Sequence, residues 1–152
     1  MFTFTLRDFR RVKNDCMNQK RIYYPSRNLL CYELFKLQPT DRGNYIERMV
    51  YNQLVTRGYN VEYFGGGHPY DMLVNGKRIE VKSSIAQYNT KNTYKYRFQN
   101  IKTSLFDKII LVFITPYEII TQQMSSEKMA EKLIDTTYHN NGKTFCVHSR
   151  AA

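Results

Sequence analysis

Two acidic residues and a lysine lie on either side of a short turn. Asp71 precedes the dipeptide Asn75-Gly76, and Glu80-Val81-Lys82 follows it. Asn-Gly between two segments of alternating apolar residues predicts a β-hairpin with a two-residue turn. Opposed residues of a hairpin have side chains about 5 Å apart, so Asp71 faces Glu80, and Lys82 projects from the same face. The register pairs Val74 with Lys77, Leu73 with Arg78 and Met72 with Ile79, and it points Ile79 and Val81 into a core.

This pair of carboxylates predicts a site for a divalent metal ion. Two carboxylates so close repel each other, and Mg²⁺ relieves the repulsion because it binds one or two carboxylates together with water and phosphate oxygens. A neighbouring lysine such as Lys82 can orient or deprotonate a water molecule, or stabilise charge on a phosphate in transfer. The alternative is a surface Glu–Lys ion pair with an unrelated aspartate opposite it. The turn and the basic flanking segments favour the catalytic interpretation.

The elements that must position these residues form a mixed α/β pattern. Apolar residues at helical spacing predict a helix from Asn44 to Arg57, and Gly58 suits the left-handed cap that ends it. An earlier helix is predicted from Ser26 to Leu37, with Leu30, Leu34 and Leu37 on one face, followed by a break at Pro39, Asp41 and Gly43. Strands are predicted at residues 60–64, 71–74, 77–83, 94–99, 108–114 and 144–147, and a last helix at about 126–136.

The acidic residues and the lysine resemble a known motif. Asp71 and Glu80-Val81-Lys82, preceded by a helix that carries Glu47, resemble the PD-(D/E)XK nuclease superfamily over roughly residues 43–115. The proline of the motif is displaced, because Tyr70 stands between Pro69 and Asp71. The resemblance implies an α/β fold with a restriction-endonuclease-like core of helix, mixed central β-sheet and helix. The core would span residues 43–152, after a basic N-terminal extension of residues 1–42.

The resemblance also implies a reaction, the hydrolysis of DNA phosphodiester bonds with Mg²⁺. It implies that Mn²⁺ substitutes for Mg²⁺ and that Ca²⁺ binds without supporting cleavage. Asp71 and Glu80 would be metal ligands together with the Val81 carbonyl, and Lys82 would be the catalytic lysine. Glu47 would match an additional acidic residue that many members place near the metal.

The charge of the chain indicates a polyanionic partner. With 23 Lys and Arg against 13 Asp and Glu in 152 residues, the formal net charge is +10. The excess is uneven: residues 1–42 carry +5, residues 43–85 carry +1, residues 86–108 carry +4, and the rest are neutral. Such a surface favours a polyanionic partner over the alternative of a basic soluble protein without one, and the resemblance to nucleases implies that the partner is double-stranded DNA. The candidate DNA-binding residues are Arg10, Arg11, Lys13, Ser83, Lys95, Arg97, Gln99 and Lys102.

The chain also resembles one group within this superfamily, the homing endonucleases encoded by group I introns of cyanobacteria. The resemblance lies in its size, its Tyr/Asn/Lys-rich composition and its basic extension. That resemblance implies a sequence-specific endonuclease. Cutting both strands with one active site per chain requires at least a homodimer, and the resemblance favours a homotetramer. Two alternatives stay open: a Holliday junction resolvase, which would read DNA shape, and a non-catalytic basic DNA-binding module.

The cysteines and the apolar segments predict a cytoplasmic protein. Cys16, Cys31 and Cys146 are odd in number and widely spaced, which predicts free thiols in a reducing compartment. No apolar run approaches the ~20 residues of a membrane span, and the N-terminus lacks the basic start and apolar run of a signal peptide. No membrane partner is expected.

Overall fold

The fold combines helices with two β-sheets. The computed structural model describes residues 29–89, 93–133, 138–139 and 142–150. The helices are α1 (Leu29–Lys36), α2 (Pro39–Thr56) and α3 (Ser126–Lys132). The strands are β1 (Val61–Tyr63), β2 (Met72–Val74), β3 (Lys77–Ile85), β4 (Gln87–Asn89), β5 (Thr93–Ile101), β6 (Lys108–Ile114), β7 (Ile119–Ser125), β8 (Tyr138–His139) and β9 (Gly142–Arg150). The mixed α/β class predicted from the sequence is confirmed.

Helix α2 begins earlier than predicted. The expected break at Pro39, Asp41 and Gly43 is wrong, because all three residues belong to the helix. Proline is favourable at a helix start, where its missing N–H has no partner to lose. Asp41 lies in the first turn, where the helix dipole favours an acidic side chain. The other end is as predicted: Gly58, with a φ of 88°, follows the last turn.

Helix α1 shares a core with α2. Cys31 and Leu34 are fully buried and pack with Ile46, and Leu30 packs partly against the same cluster. Leu37, which was predicted to share their face, is exposed. The boundary proposed between residues 42 and 43 falls inside α2, while residues 1–28 of the proposed extension lie outside the described residues.

The hairpin shows three of the predicted pairs, while the predicted pairing of Asp71 with Glu80 lies outside the ladder of β2 and β3. Strands β2 and β3 are antiparallel, with Met72 opposite Ile79, Leu73 opposite Arg78 and Val74 opposite Lys77. Asn75 and Gly76 both have positive φ, at 49° and 81°. Positive φ at both central positions is the requirement of a type I′ turn, and Asn-Gly meets it at the least steric cost.

The central sheet has the order β1-β2-β3-β6-β7 and is mixed, because β3 and β6 are parallel while the other pairs are antiparallel. Strand β6 is apolar from Ile109 to Ile114 because both faces of the sheet are covered. Ile110 and Val112 pack in the same core as α1 and α2. Ile109 and Leu111 pack in a second core with residues of β5 and α3. The buried strand predicted at residues 108–114 is confirmed.

A second sheet has the strand order β4-β5-β9-β8. It packs against the second core through residues of β5 and β9. The sequence predicts β5 and part of β9 but neither the second sheet nor strand β7. In β7, Thr121, Gln122 and Gln123 interrupt the apolar pattern, since an edge strand needs little apolar surface. On β5, Tyr94, Tyr96 and Phe98 alternate inward as predicted, and Phe98 packs edge-on against Phe113 of β6.

Ser84 links the two sheets. It is buried, and its hydroxyl accepts a hydrogen bond from the Arg97 N–H at 2.8 Å. Ser84 therefore lies inside β3, which continues to Ile85, and ties that strand to β5.

We predict that Ser84→Ala lowers the unfolding free energy by about 1–3 kcal/mol, because the Arg97 N–H loses its acceptor in a buried place. Urea denaturation measures the loss. Ser83→Ala, at a half-buried position on the other face of the strand, is the control and should change stability by less than about 0.5 kcal/mol. Equal effects of the two variants would contradict the linking role.

Two further observations concern the cysteines and the helices. Cys31 and Cys146 are not joined in a disulfide, and Cys16 lies outside the described residues. Among the helices that the structure describes, none combines the length and the apolar character that crossing a bilayer requires.

Candidate active site

Asp71 lies at the start of the hairpin and is fixed by backbone contacts. Its Oδ2 accepts a hydrogen bond from the Val81 N–H at 2.7 Å. Its own N–H donates to the Ile79 carbonyl at 3.0 Å, and its carbonyl accepts from the Phe64 N–H at the same distance. The aspartate is therefore attached to strand β3 one residue beyond Glu80.

Glu80 and Lys82 project from one face of β3. The Lys82 Nζ lies 3.4 Å from Glu80 Oε1, and the two side chains are only 23% and 17% exposed. The intervening Val81 and the preceding Ile79 are buried on the opposite face. This alternation is the one that the sequence predicts, and it places a carboxylate and an ammonium next to Asp71.

Helix α2 brings in Glu47. The neighbouring Ile46 and Val50 are buried in the core, which holds the helix in place and leaves Glu47 at the edge of its buried face. The carboxyl of Glu47 lies close enough to Asp71 for the negative charge of Asp71 to raise the pKa of Glu47. The sequence predicts this residue, and the structure brings it together with Asp71.

Tyr63 is a member of the cluster that sequence reasoning missed. Its hydroxyl donates a hydrogen bond to Glu47 Oε2 at 3.1 Å. Tyr51 and Arg48 of α2 lie near its ring, with the Arg48 guanidinium carbon 5.6 Å from the ring centre. No sequence pattern links Tyr63 to Glu47, because β1 is only three residues long and meets α2 only in the folded chain.

Burial and mutual repulsion dominate the electrostatics of the cluster. The pKa of Glu80 is raised to about 7, chiefly by burial and next by the negative charge of Asp71, against the opposing effect of Lys82. The pKa of Glu47 is raised to about 7 by burial and then by Asp71. Burial also raises the pKa of Asp71, which the Val81 N–H opposes. The carboxyl groups of Glu47 and Glu80 therefore hold protons up to neutral pH.

These pKa values predict how stability depends on pH in metal-free protein. The pKa of Glu47 and Glu80 rises from 4.5 in the unfolded chain to about 7 in the folded one, so the folded state binds more protons between these values. The unfolding free energy therefore falls as the pH rises through this window. Urea denaturation in EDTA at several pH values measures the decline. The Glu47→Gln/Glu80→Gln variant should decline less, and an unchanged slope would contradict the assignment.

A cleft of about 480 Å³, which we call the first cleft, opens beside the cluster. Glu47 and Lys82 line it, together with Ser83 of β3 and Arg97 and Gln99 of β5. Three of the predicted DNA-binding residues are thus brought to the catalytic candidates. Lys95 lies on the same strand but does not line this cleft, and Arg10, Arg11 and Lys13 lie outside the described residues.

A second cleft, of about 240 Å³, lies on the other side of Lys82. Asp71, Glu80 and Lys82 line one part of it. Asn100 and Lys102, at the end of β5, line another part, with His68 and Pro69 from the loop before Asp71. The predicted DNA-binding residue Lys102 therefore also lies beside the cluster, in a different cleft from Arg97.

The donor atoms of the cluster fit a hard divalent cation. Within the described residues, no three His, Cys, Asp or Glu side chains form a group able to hold a metal ion by themselves. Two carboxylates, from Asp71 and Glu80, remain available with the backbone of Val81. The N–H and C=O of a strand residue point to the same side, so the Val81 carbonyl points toward Asp71, as its N–H does. Mg²⁺ needs only such a partial set, because it keeps several waters and binds substrate phosphate.

Comparison with known proteins finds a similarity in structure but none in sequence. No family model matches the sequence, and no curated protein matches it. Among solved structures, the chain is similar to a bacterial homing endonuclease, I-Ssp6803I, with a TM-score of 0.48 and 12% identity over 69% of this chain and 74% of that chain. From its own residues, the chain is a mixed α/β protein in which acidic side chains and a lysine meet between two clefts.

Proposed function

We propose that this protein is a metal-dependent endonuclease that hydrolyses phosphodiester bonds in double-stranded DNA. The observation that carries the proposal is the hydrogen bond between Asp71 and the Val81 N–H, at 2.7 Å. It joins the two halves of the motif, so that Asp71, Glu80 and Lys82 meet where the two clefts adjoin. An unrelated surface ion pair would not require a second, half-buried carboxylate attached to the same strand.

Mg²⁺ is the proposed cofactor. Asp71, Glu80 and the Val81 carbonyl would hold it, and Mn²⁺ would replace it, while Ca²⁺ would bind without supporting cleavage. When bound, the ion supplies Lewis acidity at the phosphate and lowers the pKa of a water molecule. A cation between Asp71 and Glu80 would also offset the repulsion that contributes to the raised pKa of Glu80.

The residues of the chain supply the remaining chemistry. Lys82 carries its ammonium within 3.4 Å of the Glu80 carboxylate, where it can donate a hydrogen bond to a phosphate oxygen or to the attacking water. Asp71 is held by the β3 backbone and therefore needs no reorganisation during the reaction. Glu47 accepts a hydrogen bond from the Tyr63 hydroxyl and adds a third carboxyl beside Asp71, on the side of helix α2.

The charge of the clefts supports DNA as the substrate. Apart from Glu47, Asp71 and Glu80, the charged residues that line the two clefts in the described part of the chain are basic: Arg42, Lys82, Arg97 and Lys102. Basic side chains of this kind bind phosphates and fix the position of a duplex. We further propose sequence-specific cleavage of the homing type by a homo-oligomer, which is at least a dimer. The resemblance in size, composition and basic extension favours a tetramer.

Plasmid and junction DNA test the proposal. Purified protein is incubated with supercoiled plasmid, with a library of random duplexes and with a four-way junction, in Mg²⁺ or in EDTA. We expect metal-dependent cleavage of duplex at a limited set of sites. Preferential cutting of the junction would identify a resolvase, and binding without cutting in either condition would identify a DNA-binding module.

The two basic regions should contribute differently to binding. We predict that replacing Arg10, Arg11 and Lys13 by Ala weakens binding to specific and random duplex alike, and makes the log–log salt slope shallower by about 0.9 for each phosphate that is no longer bound. Arg97→Ala should instead relax sequence preference, because arginine commonly reads guanine in the major groove. Titrations in Ca²⁺ at several salt concentrations measure both effects, with Lys77→Ala in the hairpin turn as control. An unchanged slope and affinity in the triple variant would assign those residues to oligomerisation.

A further inference from the structure

Strand β5 contains a bulge beside the catalytic cluster. Phe98 pairs with Phe145 and Ile101 with Lys143, so β5 has one more residue than β9 between these pairs. Phe98 and Ile101 are both buried, and the two residues between them, Gln99 and Asn100, are both exposed. A bulge changes the direction of side chains along a strand and is common next to active sites.

Asn100 has an unusual backbone conformation, and a residue of the neighbouring strand β9 packs closely against it. Its φ is 58°, in the left-handed region that non-glycine residues seldom adopt. Gly142, at the start of β9, lies directly against it: a Cβ on Gly142 would come within 2.5 Å of the Asn100 Oδ1 and 2.7 Å of its Cα. Only glycine permits this approach, so the strand opposite is adapted to the bulge. Such a conformation at the edge of a site calls for a functional explanation.

The bulge divides the side chains of β5 between the two clefts. Arg97 and Gln99, before the bulge, line the first cleft. Asn100 and Lys102, in and after it, line the second. Lys82 lines both clefts, so the catalytic cluster lies between the two pairs. A regular strand would have turned Asn100 toward the core instead.

We infer that β5 binds the backbone of the cut strand on both sides of the scissile phosphate, with Asn100 and Lys102 holding a phosphate on the side opposite to Gln99. This inference rests on the proposed function and adds to it the path of the substrate. Amide and ammonium groups donate hydrogen bonds that phosphate oxygens accept. The path continues beyond Lys102, which also lines a third cleft of about 590 Å³ whose other charged residue is Lys143.

The Asn100→Gly variant tests the contribution of the Asn100 side chain without disturbing the bulge. Glycine adopts positive φ without strain, so this variant keeps the backbone and removes the amide. A hydrogen bond to a charged group corresponds to a loss of about tenfold or more in kcat/KM. Asn75→Gly is the matched control, because Asn75 also has positive φ but lies in the hairpin turn and lines neither cleft. The probe is a duplex carrying a site that the wild-type protein cuts in plasmid DNA.

A scan with neutral phosphates tests the position of the contact. Single methylphosphonates are placed at each position around the cut, and cleavage by each variant is compared with wild type. We expect one position on one side of the cut where the substitution lowers wild-type cleavage but has no further effect on Asn100→Gly. For Gln99→Ala, the insensitive position should lie on the other side of the cut. Gly142→Ala, which pushes on Asn100, should reproduce the pattern of Asn100→Gly.

The outcomes distinguish the inference from the proposed function. If the wild type cuts the duplex but Asn100→Gly matches Asn75→Gly at every position, the inference is wrong and the endonuclease activity stands. If both insensitive positions fall on the same side of the cut, the division by the bulge is also wrong. If the wild type cuts no DNA in Mg²⁺ or Mn²⁺, the proposed function fails, and the inference fails with it.

Discussion

Glu80→Gln abolishes cleavage of duplex DNA in Mg²⁺ and leaves DNA binding in Ca²⁺ intact. We expect this result because the substitution keeps the size of the side chain but removes the charge that faces Asp71 and Lys82. A neutral amide is a poor ligand for Mg²⁺, which prefers carboxylate oxygens. Phosphate contacts elsewhere in the clefts do not depend on this charge. Single-turnover cleavage and a binding titration with the same duplex measure the two properties separately.

Glu62→Gln is the matched control for this experiment. Glu62 is exposed on β1 and lines neither of the two clefts, so its replacement should leave cleavage and binding unchanged. Stability gives an independent readout. Because Glu80 is buried beside Asp71, Glu80→Gln should stabilise the metal-free protein at alkaline pH, where the native carboxylates repel each other. Undiminished cleavage by Glu80→Gln would remove Glu80 from the site.

The parts of the site that were predictable are those fixed by local sequence. The Asn75-Gly76 turn determines the register of β2 and β3, and the alternation of β3 then places Glu80 and Lys82 on one face. Each step depends on residues within a few positions of the turn, so no knowledge of the tertiary fold is needed. The pairing of Asp71 with Glu80 was predicted as well, but the observed pairs end at Met72 and Ile79. Asp71 is placed instead by its hydrogen bonds with the backbone of Val81 and Ile79.

The parts that were not predictable depend on contacts between distant segments. Tyr63 reaches Glu47 because β1 packs beside α2, and nothing in either segment indicates that neighbour. The bulge at Asn100 requires Gly142, which is more than forty positions away in the chain. Only the pairing of β5 with β9 brings the two together. The division of β5 between two clefts is therefore a property of the folded molecule.

The start of α2 and the second sheet show a different limit, in which local patterns indicated the wrong structure. Pro39, Asp41 and Gly43 resemble a break in the chain, yet proline and aspartate are also favoured in a first helical turn, and burial of Ile46 in the core favours helix. In β7, the polar run from Thr121 to Gln123 hides a strand because pairing with β6 supplies the stabilisation that apolar residues otherwise provide.

Lys82→Ala should lower the single-turnover cleavage rate by about two orders of magnitude or more, the usual scale for the loss of one positioned electrostatic or acid–base group. Lys82 is 23% exposed, lies 3.4 Å from Glu80 and lines both clefts, so its ammonium is next to the proposed scissile phosphate. Removing it also leaves Asp71 and Glu80 without their opposing positive charge, which raises the pKa of Glu80 further. The pH at which cleavage reaches half its maximum should therefore move upward.

Lys102→Ala is the comparison that separates chemistry from affinity. Lys102 lines the second cleft but is not in contact with Glu80, so its loss should weaken DNA binding more than it slows the cleavage of bound DNA. Rates are measured with enzyme in excess at saturating concentration, and dissociation constants are measured in Ca²⁺. For Lys82→Ala we expect the reverse pattern, a large loss in rate with a small change in affinity. If Lys82→Ala weakened binding and left the saturated rate intact, Lys82 would be a phosphate-binding residue, and the proton or charge transfer would belong to another group.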